Sequence, residues 1–168
     1  MDSSLCINRA ENELKLAGII FILSERPNLQ TTVFSIRDPE TYFSAVIAHS
    51  YYSIFFGAKA YLLRKGITVT APEEHKKTYE AFKSFVESGE LDVELLKIYQ
   101  QAWIRAEVLL GIFKEEKKKR GTFTYRIFPQ ANKEPAKESM EHAKIFFKNM
   151  NALCEKLGAQ STRSFSIP

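Results

Sequence analysis

Cysteine, histidine, glycine and proline are all scarce in this chain, and each scarcity removes a class of protein. Cys6 and Cys154 are the only cysteines, far apart and without CxxC or other ligand spacing. With three histidines and no HExxH pattern there is no metal-binding constellation, so neither a metal nor another cofactor is expected. Seven glycines and six prolines are too few for a chain of many hairpins, and no glycine-rich phosphate loop follows a strand, which excludes Rossmann and P-loop domains. The longest apolar run, Leu16 to Leu23, falls well short of the roughly 20 residues that span a bilayer. No basic stretch leads into an apolar core at the N-terminus, so a cytoplasmic protein without a secretory signal or membrane span is expected.

What is present points to one globular domain. The chain has 168 residues, 45% hydrophobic and 26% charged, which is enough to bury a real core. No internal repeat is evident. The net charge of +4 is unevenly spread: Lys114 to Lys137 holds eight Lys/Arg and three Glu, so this segment carries +5 and the remainder −1. A local anionic partner fits that distribution better than general nucleic-acid coating.

Periodicity divides the chain into about five helices, an antiparallel up-down bundle of all-α class. The first helix spans about Ser4 to Ser24, capped by Ser3 or Ser4, with Leu16, Ile19, Ile20 and Leu23 as its apolar side. Residues 25–38 read as a loop around Arg26-Pro27-Asn28. The second helix opens at Asp38-Pro39-Glu40, an N-cap acceptor followed by proline, and ends at Gly66. Between Ala45 and Leu63 only Lys59 carries a permanent charge, so this helix belongs at the centre. Its small residues Ser50, Ser53, Gly57 and Ala60 permit close approach of a neighbour. The third helix begins with the capping-box form Thr70-Ala71-Pro72-Glu73 and ends at Gly89. The fourth, Asp92 to Arg120, carries two apolar stripes: Leu95, Tyr99, Ala102, Ala106, Leu109 and Phe113, and beside it Leu96, Trp103 and Leu110. After a loop at 121–131, the fifth helix, Lys133 to Leu157, has a seam of Ala136, Met140, Ala143, Phe147, Met150, Cys154 and Leu157. Residues 1–157 form the expected domain, and 158–168 a disordered tail. Both cysteines fall on apolar faces as small core hydrophobes, with a disulfide between the first and last helices as the alternative.

Three segments together resemble HEPN domains, small helical domains of prokaryotes and higher eukaryotes. Ala48-His49-Ser50-Tyr51-Tyr52-Ser53-Ile54-Phe55-Phe56-Gly57-Ala58-Lys59-Ala60-Tyr61-Leu62-Leu63 resembles the family's second helix. His75 to Gly89 is similar to its third, with an early His and later Phe residues. Arg120-Gly121-Thr122-Phe123-Thr124-Tyr125, with Ala143-Lys144-Ile145-Phe146-Phe147 in the helix beyond, resembles the branch often paired with nucleotidyltransferases. The resemblance covers about residues 5–157 and implies an HEPN-like bundle. It also implies a homodimer with its motif near the dimer cleft, and either metal-independent ribonuclease activity or an accessory, nucleotide-binding role.

Metal-free RNA cleavage needs a base for the 2′-hydroxyl proton and a cation for the phosphate. Arg120 supplies the cation, but Tyr125 stands where the family's ribonucleases have His, and no His lies between Arg105 and Ala131. A free Tyr titrates near pH 10, so roughly one in a thousand is ionised at pH 7. The residue after the Arg, often polar in active members, is Gly121. Five residues on a continuous helix are about 140° apart, so Arg120 and Tyr125 meet only if Gly121 turns the chain. The expectation is therefore a non-catalytic or degenerate domain binding a nucleotide, RNA or a partner such as a nucleotidyltransferase, in a toxin–antitoxin or defence setting. Lys119, Arg120, Tyr125 and Arg126 are the candidate anion contacts, and His49, Tyr51 and Tyr52 the candidate cleft lining. The alternatives are a ribonuclease using Arg120 with a non-standard base, and a helical interaction module without a ligand. The plainer reading of the basic segment is a solvated helix end, of His49 a satisfied core histidine, and of His75 a packing residue.

Overall fold

A computed structural model describes residues 2–118 and 133–163; for 107–118 and 161–163 it describes the backbone alone. These residues form an all-α bundle of six helices: α1 Ser3–Glu25, α2 Pro27–Phe34, α3 Phe43–Arg64, α4 Glu74–Glu87, α5 Val93–Lys118 and α6 Lys133–Arg163. Among the described residues there is no strand.

The nearly uncharged helix is the central one. α3 packs against α1, α4, α5 and α6, which is why it tolerates apolar residues on almost every side. Its single internal charge, Lys59, is buried and paired with Glu74 at the start of α4. α1 lies antiparallel to α3: Ser3 donates to the Ala60 carbonyl at 3.0 Å, and Phe21 meets Phe43 at a ring separation of 5.7 Å.

The inward face of α1 differs from the one its largest side chains suggest. Ser3, Cys6, Ala10, Glu13, Ala17, Phe21 and Ser24 are buried, whereas Leu16 and Ile19 are exposed. Small residues at three- and four-residue spacing let the α1 backbone approach α3, and that closeness outweighs the burial of a few more methylenes. The cap also differs: Asp2 accepts from the Ser4 N–H, while Ser3 turns inward to α3.

The 25–38 loop contains the additional helix α2, opened by Pro27 at its first turn. Gln30 organises the connection. Its fully buried amide donates to the Leu23 carbonyl at 2.9 Å and the Glu40 carbonyl at 2.7 Å, and accepts the Glu40 N–H at 2.9 Å. Ser24 accepts the Tyr42 N–H at 2.8 Å. These bonds hold residues 40–42 against α1 and α2, so α3 begins at Phe43 and the Asp38-Pro39-Glu40 start signal goes unused. The capping box at Thr70–Glu73 is likewise not formed. Glu73 is itself the N-cap, in a left-handed conformation (φ 60°) without a side-chain cap bond, and α4 starts at Glu74.

On α6 the buried seam runs through Ala136, Met140, Ala143, Phe146, Met150 and Cys154; Phe146, not Phe147, is the core ring. The Phe146 ring packs on Phe82 of α4 and Tyr99 of α5, at centroid separations of 5.4 and 5.9 Å, which draws it into the core. α6 crosses α3 at Gly57, where a Cβ would stand 3.4 Å from Met150 Cγ and 3.5 Å from Phe146 Cε1. The helix continues to Arg163, past the Leu157 end expected from periodicity, and the Arg64 guanidinium lies against Gly158. Cys6 and Cys154 are buried free thiols, and burial raises the pKa of both.

Candidate functional site

Of the residues singled out from sequence, Lys119, Arg120, Tyr125 and Arg126 lie outside the described residues. His49, Tyr51 and Tyr52 lie on α3, in two adjoining clusters.

The first cluster joins α3 to α4. The Tyr51 hydroxyl and His75 Nδ1 are 2.8 Å apart. The His75 ring stacks on Phe55 with centroids at 4.0 Å, and Tyr52 meets it edge-on at 6.0 Å. Burial lowers the His75 pKa; Glu74 opposes that shift and Lys59 adds to it. The ring is thus held neutral, with Nδ1 engaged by the Tyr51 hydroxyl. This imidazole is a packing element first. Beside it, Lys59, Leu63, Thr68, Val69, Thr70, Ala71 and Glu74 line an open hollow of about 270 Å³. The Lys59–Glu74 pair leaves the hollow no net charge with which to hold an anion.

The second cluster joins α1 to α3. Glu13 is buried, its side chain only 6% exposed, and each carboxylate oxygen takes one partner. Arg9, one turn back on α1, reaches one oxygen at 2.7 Å. His49 Nδ1 reaches the other at 2.6 Å. A carboxylate on one ring nitrogen fixes an imidazole's orientation and turns the other nitrogen outward. His49 is accordingly 28% exposed, a satisfied histidine at the edge of the core. The Arg9 guanidinium also lies over the Phe56 ring, 5.7 Å from its centroid.

Sequence singled out His49 and the Tyr pair as candidates and passed over Glu13, the partner of His49. The available signal was an acid in register with Cys6, Ala10 and Ala17, a position that an amphipathic helix gives to its core. Tyr51 turned out to be buried, and Tyr52 is the half-exposed member of the pair. The remaining histidine, His142, faces Glu138 at 4.0 Å; Arg105 binds the same residue at 2.6 Å and Ser139 at 3.1 Å, tying α5 to α6.

Among the described residues no group of three His, Cys, Asp or Glu side chains could hold a metal ion, and no helix is long and apolar enough to cross a membrane. Neither a family model, nor a curated protein, nor a solved structure matches the chain.

Proposed function

We propose that this chain is a non-catalytic HEPN-type helical module that binds a phosphate-bearing ligand, a nucleotide or RNA, through the basic segment between α5 and α6. It acts as a homodimer, alongside a partner such as a nucleotidyltransferase in a toxin–antitoxin or defence setting. One observation carries the reading: every histidine has an intramolecular neighbour, His49 with Glu13, His75 with Tyr51 and His142 with Glu138, and none occurs in the segment that bears Arg120. Binding survives that loss where catalysis does not, because the Arg fork and the local charge of +5 still attract phosphate.

The test is a pair of assays on purified protein. Structured RNAs incubated without divalent metal should remain intact. Calorimetry against nucleotides, RNA and any nucleotidyltransferase found encoded beside this chain should show binding that weakens in Arg120→Ala. RNA cleavage that disappears in Arg120→Ala overturns the reading, as does the absence of any binding.

A further inference from the structure

Among the described residues nine large hydrophobic side chains are exposed, and six of them belong to α1 and α2: Leu5, Leu16, Ile19, Ile22, Val33 and Phe34, each between 39% and 62% open. The outward side of α1 holds most of them. Leu5, Asn12, Leu16, Ile19 and Leu23 recur there at spacings of seven, four, three and four, the pattern by which one helix meets another. The core seam of Cys6, Ala10, Glu13, Ala17 and Phe21 lies on a separate side. α1 therefore has two seams suited to helices, and the bundle covers one. Residues 16–24 carry no charge. The charged groups stand at the two ends of this stretch: Glu11 and Lys15, joined at 2.7 Å, before it, and Glu25 and Arg26 after it.

We propose that the outward side of α1 is the surface on which two copies of this chain pair, helix against helix and antiparallel, with Ile19 of each at the two-fold axis. The proposal rests on the homodimer of the reading above and gives it a place on the fold. Three features select a second copy. The first is area. At these exposures the four residues on α1 leave about 350 Å² of apolar surface open, within the roughly 300–600 Å² of patches that mark interaction sites. One side of a standard interface buries ~800 Å², a little over half of it apolar, so α1 alone supplies most of that share. The second is charge. An antiparallel copy centred between Gly18 and Ile19 sets Glu11 level with Arg26 of its mate, on both sides of the axis. It also sets the Lys15 stem level with Ile22 and lays the uncharged stretch on its own counterpart. Parallel pairing puts each charge beside its like. The third is the balance at the rim. Each end of the stretch has one acid and one base, so the side carries no excess cation for an anionic lipid surface or a nucleic acid.

The test is sedimentation equilibrium of the full chain, with circular-dichroism spectra to check folding. It uses the wild type, Ile19→Glu, Glu11→Arg, Arg26→Glu and the double variant Glu11→Arg/Arg26→Glu. The wild type should be a dimer. Ile19 is open in the single copy, so Ile19→Glu should keep the helical spectrum and weaken dimerisation by about thirtyfold or more. Each charge reversal alone should weaken it about fivefold, and the double variant should recover most of that loss, because the exchanged charges meet again across the axis. A wild-type chain that stays monomeric overturns the proposal and the homodimer, and leaves phosphate binding to be judged by the Arg120→Ala calorimetry. A dimer unchanged by Ile19→Glu keeps the homodimer and overturns this surface. A double variant no better than the single ones overturns the antiparallel pairing and with it the proposal. A monomer that binds phosphatidylcholine vesicles and loses them in Ile19→Glu makes the side a membrane contact, which also overturns it.

Discussion

Glu13 and His49 stand 36 residues apart in sequence and share a 2.6 Å hydrogen bond at the edge of the core. The carboxylate is the buried partner and holds both Arg9 and His49, so it is the member whose loss matters. Glu13→Gln keeps one acceptor but turns an NH2 group toward either Arg9 or His49. We expect it to lower stability by about 1–3 kcal/mol. Arg9→Ala, removing an exposed partner, should cost under about 1 kcal/mol. Urea denaturation of both variants checks the ordering; an Arg9 effect as large as the Glu13 effect contradicts it.

Gln30 is the fastening of the α2 connection. Gln30→Leu removes two donors and one acceptor, all on a fully buried side chain, from the backbone groups of Leu23 and Glu40. The expected loss is about 2–4 kcal/mol. Hydrogen exchange gives a local readout: the Glu40 and Tyr42 amides should lose protection before those of α3. Equal protection in the variant would falsify this role.

Gly57 faces Met150 and Phe146 with room for one carbon. Its Cβ site lies 3.4 Å or more from each neighbour, an ordinary contact distance. Gly57→Ala should therefore raise stability by about 0.5–1 kcal/mol, through reduced backbone freedom in the unfolded chain. Gly57→Leu has no space and should destabilise by about 1–3 kcal/mol or more. Thermal melts that rank Leu above Ala would contradict the packing.

His75 sets a pH dependence. Its pKa in the fold is depressed below the ordinary 6.5, so between the two values the unfolded chain binds more protons than the folded one. Its contribution to stability is complete above pH 6.5 and is lost as pH falls through the folded value. Glu74 and Lys59 are the charged groups that act on it. Wild-type Tm should drop more steeply than that of His75→Gln between pH 7 and pH 5; parallel curves would rule the effect out.

The parts of the fold legible in sequence were those governed by local pattern. Lys59 as the lone charge between Ala45 and Leu63 marks α3 as central, and Ser50, Ser53 and Gly57 mark where neighbours come close. The misread parts were governed by contacts distant in sequence. On α1, counting large apolar residues selected Leu16 and Ile19. The real seam selects small side chains, because what matters there is the distance to a helix whose contacts lie 22 to 57 residues further on. The start of α3 is decided by Gln30 and Ser24 holding residues 40–42, and no cap pattern encodes that. The candidate site divides in the same way. His49 and Tyr52 were visible as polar or amphipathic residues on an apolar helix, whereas Glu13 acquires meaning only from the antiparallel pairing of α1 with α3.

The close crossing at Gly57 also bears on how the chain emerges from the ribosome. α3 is complete at Arg64, but α6, its partner at Gly57, begins only at Lys133. At ordinary translation speeds that leaves one side of α3 uncovered for several seconds. At the crossing, the residue that waits is a glycine and the bulky ones, Phe146 and Met150, arrive on the last helix. At that point the nascent chain thus keeps its greasy surface back until the partner that buries it is made, which limits sticking to neighbouring chains during synthesis.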